Sequence, residues 1–143
     1  MKFSKSTDLA LHGLWQLATK RQTLLLVSEM AAAQKVSETY LAKVFQKLAR
    51  KGLVKSTRGK KGGFALAKSP DQITVADVVR TIEADEPLFE CLGPERGCKG
   101  GDQCELRGIF VEAEQRLYAV LESKTLLELM STGPKDARKS WLT

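Results

Sequence analysis

The sequence predicts a mainly α-helical fold carrying one small β-hairpin, on three observations. Apolar residues recur at helical spacing through most of the chain. A single pair of strand-like runs brackets a glycine-rich reversal. Two helical stretches in the first third are separated by only three residues, Lys35-Val36-Ser37. With 143 residues, 43% of them hydrophobic, the chain has enough apolar matter for a buried core. No apolar run reaches the length of a bilayer span, and the N-terminus lacks the apolar block of a secretory signal, so no membrane association and a cytoplasmic location are expected.

The segment FSKSTDLALHGLWQLATK reads as a first helix, with Leu9, Leu14, Leu17 and Ala18 on one stripe and Leu11 and Trp15 widening it. TLLLV leads to Ser28, placed to cap a short helix over Glu29–Gln34. Ser37 can cap a second helix from Glu38 to about Lys51, with Gly52 at the position that follows a helix C-terminus. Leu53–Thr57 and Phe64–Ala67 are the two strand-like runs, and the RGKKGG between them permits a sharp reversal. Helix, short turn, helix, then hairpin is the order of a winged helix-turn-helix.

Ser69-Pro70-Asp71 forms a turn, and Thr74 can cap a helix through about Ala84. Residues 85–103 hold two prolines and four glycines with little periodicity, so a long loop is expected, and such loops are usually functional. A long amphipathic helix then runs from Glu105 to about Ser123, its stripe formed by Leu106, Ile109, Phe110, Ala113, Leu117, Val120 and Leu121. Thr125 and Glu128 make a capping box for a last short helix. The expected organisation is a winged helix-turn-helix DNA-binding domain over 1–84 and a cysteine loop over 85–104. A dimerisation helix with a short C-terminal helix covers 105–132, and a polar tail covers 133–143.

Charge divides the chain. Residues 1–80 hold 15 Lys/Arg against 5 Asp/Glu, whereas residues 81–143 hold 8 against 12. A cationic face for a polyanion and an acidic remainder with another task follow. Lys43, Lys47, Arg50, Lys51, Lys55, Arg58, Lys60 and Lys61 fall within 19 residues, and no acidic residue stands between Glu38 and Asp71. Such a cluster can neutralise several phosphates of double-stranded DNA. The start of the second helix of the motif, Ser37, Glu38, Thr39, Tyr40 and Lys43, is where a recognition helix meets base edges in the major groove. Lys47 continues that face. Arg58, at the wing tip, suits a narrow A·T-rich minor groove. Winged-helix proteins often read palindromic operators as dimers, and the long stripe is broad enough to meet a second copy.

The three cysteines, Cys91, Cys98 and Cys104, lie in one 14-residue window as C-x6-C-x5-C. Structural zinc pairs are usually spaced C-x2-4-C. The wider gaps, with Gly93, Gly97, Gly100 and Gly101 among them, suit a chain wrapping a bulkier iron–sulfur cluster. Three thiolates leave a site one ligand short. Asp8 and His12, four residues apart on one helix face, are the candidates for the fourth place, and their spacing also fits ordinary helix residues.

Several segments together resemble the iron–sulfur winged-helix transcription regulators typified by NsrR and IscR. They are the opening STDLAL, SETYLAKVFQKLARKGLV, STRGKKGGFALAK, ITVADVVRTIE, the three-cysteine loop and the closing TLLEL. The resemblance implies a homodimeric repressor, with Cys91, Cys98 and Cys104 holding the cluster. In the NsrR-like branch an aspartate matching Asp8 completes a four-iron four-sulfur cluster from the other subunit. Some relatives with a two-iron two-sulfur cluster use an acidic residue and a histidine at the positions of Asp8 and His12, so both cluster types stay open. Arg107 stands where the IscR-like branch has a histidine, which places the chain nearer the NsrR-like branch. The function expected is a DNA-binding regulator that senses nitric oxide or redox state. A sensor of iron or cluster supply is the alternative, and an iron–sulfur electron carrier or accessory protein a more distant one. One histidine, no Ser-His-Asp order and no phosphate loop point away from an enzyme.

Overall fold

The structure, a computed structural model, describes residues 3–20, 24–59, 62–93 and 103–132. It contains six helices and a three-stranded antiparallel sheet among those residues, in the order α1 (Lys5–Thr19), β1 (Leu25–Leu26), α2 (Val27–Gln34), α3 (Glu38–Arg50), β2 (Val54–Thr57), β3 (Gly63–Leu66), α4 (Val75–Glu83), α5 (Glu105–Glu122) and α6 (Leu126–Thr132). Short 3-10 turns occupy Pro70–Gln72 and Glu90–Leu92. The mainly helical fold with a small hairpin wing is therefore what the sequence leads one to expect.

The core forms where α1, α3 and α4 converge. Leu9, Ala10, Leu14 and Leu17 of α1 meet Leu41, Val44, Phe45 and Leu48 of α3 and Val78 and Ile82 of α4. Phe45 also lies against Phe64 of β3, ring centroids 5.1 Å apart. Gly13 lets α1 settle onto this cluster. A β-carbon there would stand 2.7 Å from Phe45 Cε2 and 2.9 Å from Met30 Cε, closer than packed carbons tolerate. The helix-turn-helix pair α2–α3 is thus keyed to α1 by the absence of one methyl group.

Two local expectations are corrected. Ser28 does not cap α2: the helix begins at Val27 with Leu26 in the cap position, and Ser28 lies within its first turn. The cause is a strand too short for periodicity to reveal. Leu25 and Leu26 pair with Phe64 and Gly63, so the chain passes from β1 straight into α2. The wing sheet accordingly has three strands in the order β1-β3-β2, rather than a lone hairpin. Gly63 serves this pairing more than any reversal, because a β-carbon on it would fall on the Leu25 carbonyl. Between β2 and β3 the reversal is made at Gly59, whose φ is +117°.

Caps follow the sequence elsewhere. Ser37 Oγ accepts from the Tyr40 amide at 3.2 Å, and Gly52 takes φ +74° after α3. Thr74 and Asp77 exchange reciprocal cap bonds of 2.9 and 3.1 Å at the start of α4. Thr125 and Glu128 do the same for α6. α6 then returns to the core through Leu126, which is buried, and the Thr74–Thr125 bridge ties its start to that of α4.

α5 is different in kind. None of its 18 residues is buried, and Leu106, Ile109 and Val120 are 56, 61 and 60% exposed. Among the described residues it is held by α4 and by the segment around Leu88 and Phe89. Arg80 of α4 bonds Glu122 at 2.6 Å and lies over the Tyr118 ring at 4.6 Å. Glu114 accepts from the Leu88 amide at 2.9 Å, and Phe110 stacks on Phe89 with centroids 4.2 Å apart. Among the described residues no helix is long and apolar enough to cross a membrane.

Candidate functional site

α3 separates its side chains cleanly. Leu41, Val44, Phe45 and Leu48 are buried, whereas Glu38, Thr39, Tyr40, Lys43, Lys47 and Arg50 are exposed on the other face. This is the three-to-four-residue rhythm of a half-buried helix whose free face is charged. Ser37, at the cap, is exposed and committed to the Tyr40 amide. Gln46, which sequence reasoning passed over because a neutral amide adds nothing to a charge count, is exposed beside Lys43 and Lys47. The wing adds Lys55 on β2 and Arg58 just beyond it, both exposed. Lys60 and Lys61 lie outside the described residues.

Tyr40 has a second attachment. Its hydroxyl is 2.8 Å from Ser6 Oγ in the first turn of α1. That same turn meets α4: Glu83 Oε1 accepts from the Ser4 amide and the Ser4 hydroxyl, each at 2.8 Å, and from the Thr7 hydroxyl. Partial burial works to raise the Glu83 carboxyl. The bonds from Thr7 and Ser4, with the Lys47 charge nearby, outweigh it and hold the group below the usual carboxylate range. None of Ser4, Ser6, Thr7 or Glu83 carries a sequence signal of this role, since each is an unremarkable helix-end residue until the chain folds.

Cys91 and Cys104 are half-buried free thiols. Cys91 lies in the 3-10 turn that follows Phe89, and Cys104 is the residue before the first turn of α5. A group held at Cys104 would face the amide end of an 18-residue helix, where negative charge is favoured. Cys98 lies outside the described residues. Asp8 is exposed and His12 half-buried on α1. Within one chain the described residues bring no three of His, Cys, Asp and Glu together as a metal site. Asp8 and His12 are therefore not gathered onto Cys91 and Cys104 by the fold of a single copy.

Residues 3–132 match the family model of Rrf2, described as an iron-dependent transcriptional regulator. The chain is 33% identical to the HTH-type transcriptional regulator NsrR of Halalkalibacterium halodurans over 133 residues, 92% of this chain and 91% of that one. To the regulator IscR of Photorhabdus laumondii it is 33% identical over 105 residues, 73% of this chain and 63% of that one. The structure of CymR, the global cysteine regulator of B. subtilis, superposes with a TM-score of 0.73 at 30% identity, covering 94% of this chain and 99% of that one.

Proposed function

The chain belongs to the Rrf2 family of iron-dependent transcriptional regulators, and from that premise we propose that it is a repressor whose hold on DNA is set by an iron–sulfur cluster in its cysteine loop. The observation that carries this reading is the division of labour within the fold. The exposed face of α3 and the wing is basic and free of core duties, while the two described thiols lie elsewhere, in the turn after Phe89 and at the start of a helix with no fully buried residue.

On the DNA side, Thr39 and Lys43 are the base-reading residues, with Gln46 able to pair with an adenine edge. Ser37, Glu38 and Tyr40 border the same groove. Lys47, Lys60 and Lys61 meet phosphates, and Arg58 enters the flanking minor groove. The operator is palindromic because the reader is a homodimer. Two copies join through α5, whose Leu106, Ile109 and Val120 are too exposed for a helix serving only its own chain. A cytoplasmic location goes with this role.

On the cofactor side, Cys91, Cys98 and Cys104 supply three soft thiolate ligands, and Asp8 of the partner subunit supplies the fourth, with His12 as its competitor one turn away. The donor set fits the group: the two described cysteines are unpaired thiols, and Cys104 opens a helix whose amide end suits an anionic cluster. A four-iron four-sulfur cluster fits three thiolates and one carboxylate, whereas a two-iron two-sulfur cluster, which also has four places, would take both Asp8 and His12 and leave one thiolate unused. When bound, the cluster supplies a centre that reacts with nitric oxide and oxidants. The family's description as iron-dependent favours a second reading, in which the signal is iron or cluster supply.

The test is anaerobic purification followed by visible absorption, native mass spectrometry and DNA binding, before and after nitric oxide. The reading predicts a cluster-loaded dimer that releases DNA on treatment. Metal-dependent DNA binding indifferent to nitric oxide would select the supply sensor. A colourless protein would remove the cluster.

A further inference from the structure

The first turn of α1 is joined to two elements that the functional reading leaves separate. Ser4 is the cap residue of α1, yet its hydroxyl makes no cap bond to the helix. It is turned instead to Glu83, 79 residues away, alongside its own amide and the hydroxyl of Thr7, which is 2% exposed. Serine at this position ordinarily accepts from an amide of the turn it caps. Here that local bond is forgone for a long-range one, and three donors on a single carboxylate oxygen fix both the position and the rotation of the turn. Glu83 is the last residue of α4, and the next two residues, Ala84 and Asp85, take left-handed φ of 58° and 53°. The chain then runs through Phe89 to Cys91, so a shift of that loop bears on Glu83 across a short, conformationally constrained stretch.

On its other side the same turn holds Tyr40. The Ser6–Tyr40 hydroxyl contact of 2.8 Å joins residues 34 apart in sequence. Tyr40 is the third residue of α3, next to Thr39 and three before Lys43. Resting on the functional reading above, we infer that residues 4–8 of α1 form a relay between cysteine loop and recognition helix, with Glu83 and Tyr40 as its two positioning residues. Glu83 sets the turn against the end of α4, and Tyr40 carries the setting of that turn to the groove-reading end of α3. Asp8, the residue after Thr7, belongs to the same turn, so whatever Asp8 binds acts on the same lever.

The test uses the whole chain, anaerobic, cofactor-loaded and cofactor-free, and a duplex selected from a random library by the loaded wild type. The quantity read is the ratio of the two DNA affinities. A DNA contact of Tyr40 that operates in both states cancels in that ratio, whereas a coupling role does not. Tyr40→Phe, Ser6→Ala and Glu83→Gln are each expected to keep the cofactor's visible absorption and to shrink the ratio by about threefold or more, the scale of one net hydrogen bond. Tyr40→Phe combined with Ser6→Ala should lose no more than either alone, since both remove one contact. In the cofactor-free protein, amide hydrogen exchange over residues 38–43 should quicken in Tyr40→Phe. A wild-type ratio retained by all three single variants, or losses that add in the double variant, overturns the relay and leaves the functional reading standing. A wild-type ratio of one overturns both.

Discussion

At the scale of single residues, two positions show how little chemistry separates a working fold from a strained one. Gly13 carries no side chain because Phe45 and Met30 already fill the space. Gly13→Ala is expected to destabilise the protein by about 1–3 kcal/mol, the range for forcing a methyl into a packed core. Thermal or denaturant unfolding checks this, and an unchanged midpoint would mean that α1 and α3 slide apart freely. Glu83 makes a pH-dependent contribution. Its folded carboxyl is held below the ordinary range, so its stabilisation is present at neutral pH and fades as pH falls through that lowered value. Unfolding midpoints of wild type and Glu83→Gln should differ at neutral pH and converge as pH falls through the ordinary carboxylate range and below it. A gap that is constant across that range would show that the charge of Glu83 is irrelevant. Neither role was legible in the sequence. A helical glycine and a helix-terminal glutamate look ordinary until their distant neighbours, Phe45 and Ser4, are known. Three of the four expected N-caps were legible, because Ser37, Thr74 and Thr125 bond within three residues of themselves, whereas Ser28 is not the cap of α2.

At the scale of elements, α3 was readable from end to end because its rhythm of Leu41, Val44, Phe45 and Leu48 is local and its free face is charged. β1 was not, since two residues cannot display a period, and its existence depends on Gly63 arriving from nearly forty positions away. The wing makes a distinct prediction. Arg58→Ala should weaken binding mainly to operators with A·T-rich flanks, whereas Lys47→Ala should weaken all operators alike and lower the log affinity–log salt slope by about one. An equal loss from Arg58→Ala on every flank would make Arg58 a phosphate contact. α5 was legible as a helix and only half legible as a surface. Its stripe divides between Phe110, which meets Phe89, and Leu106, Ile109 and Val120, each more than half exposed. Over 18 residues it is about 27 Å long, enough to lie along a second copy. Ile109→Asp should therefore yield monomers in native mass spectrometry with the helical content kept. A persistent dimer would place the interface elsewhere.

At the scale of the whole molecule, the division of charge between residues 1–80 and 81–143 corresponds to a division among elements, although α6 packs back onto the core. The basic half builds the helix-turn-helix and wing, and the acidic half builds the cysteine loop and α5. Among the described residues no three of His, Cys, Asp and Glu come together as a metal site. Asp8 and His12 lie on α1, and it is the family resemblance rather than the fold of one chain that points to the partner copy as the source of the fourth ligand. Sequence spacing can show that three thiols are close and that one ligand is wanting, but not which subunit supplies it. On the proposed function, cofactor held at the cysteines sets the affinity for DNA. That dependence is tested most directly by fluorescence anisotropy on a selected duplex, under anaerobic conditions, comparing wild type with Cys98→Ala. The variant is expected to stay folded and to lose both the visible absorption and at least about tenfold of the DNA affinity, a difference of roughly 1.4 kcal/mol. A Cys98→Ala protein that lacks the absorption yet binds the duplex as tightly as wild type would contradict that dependence.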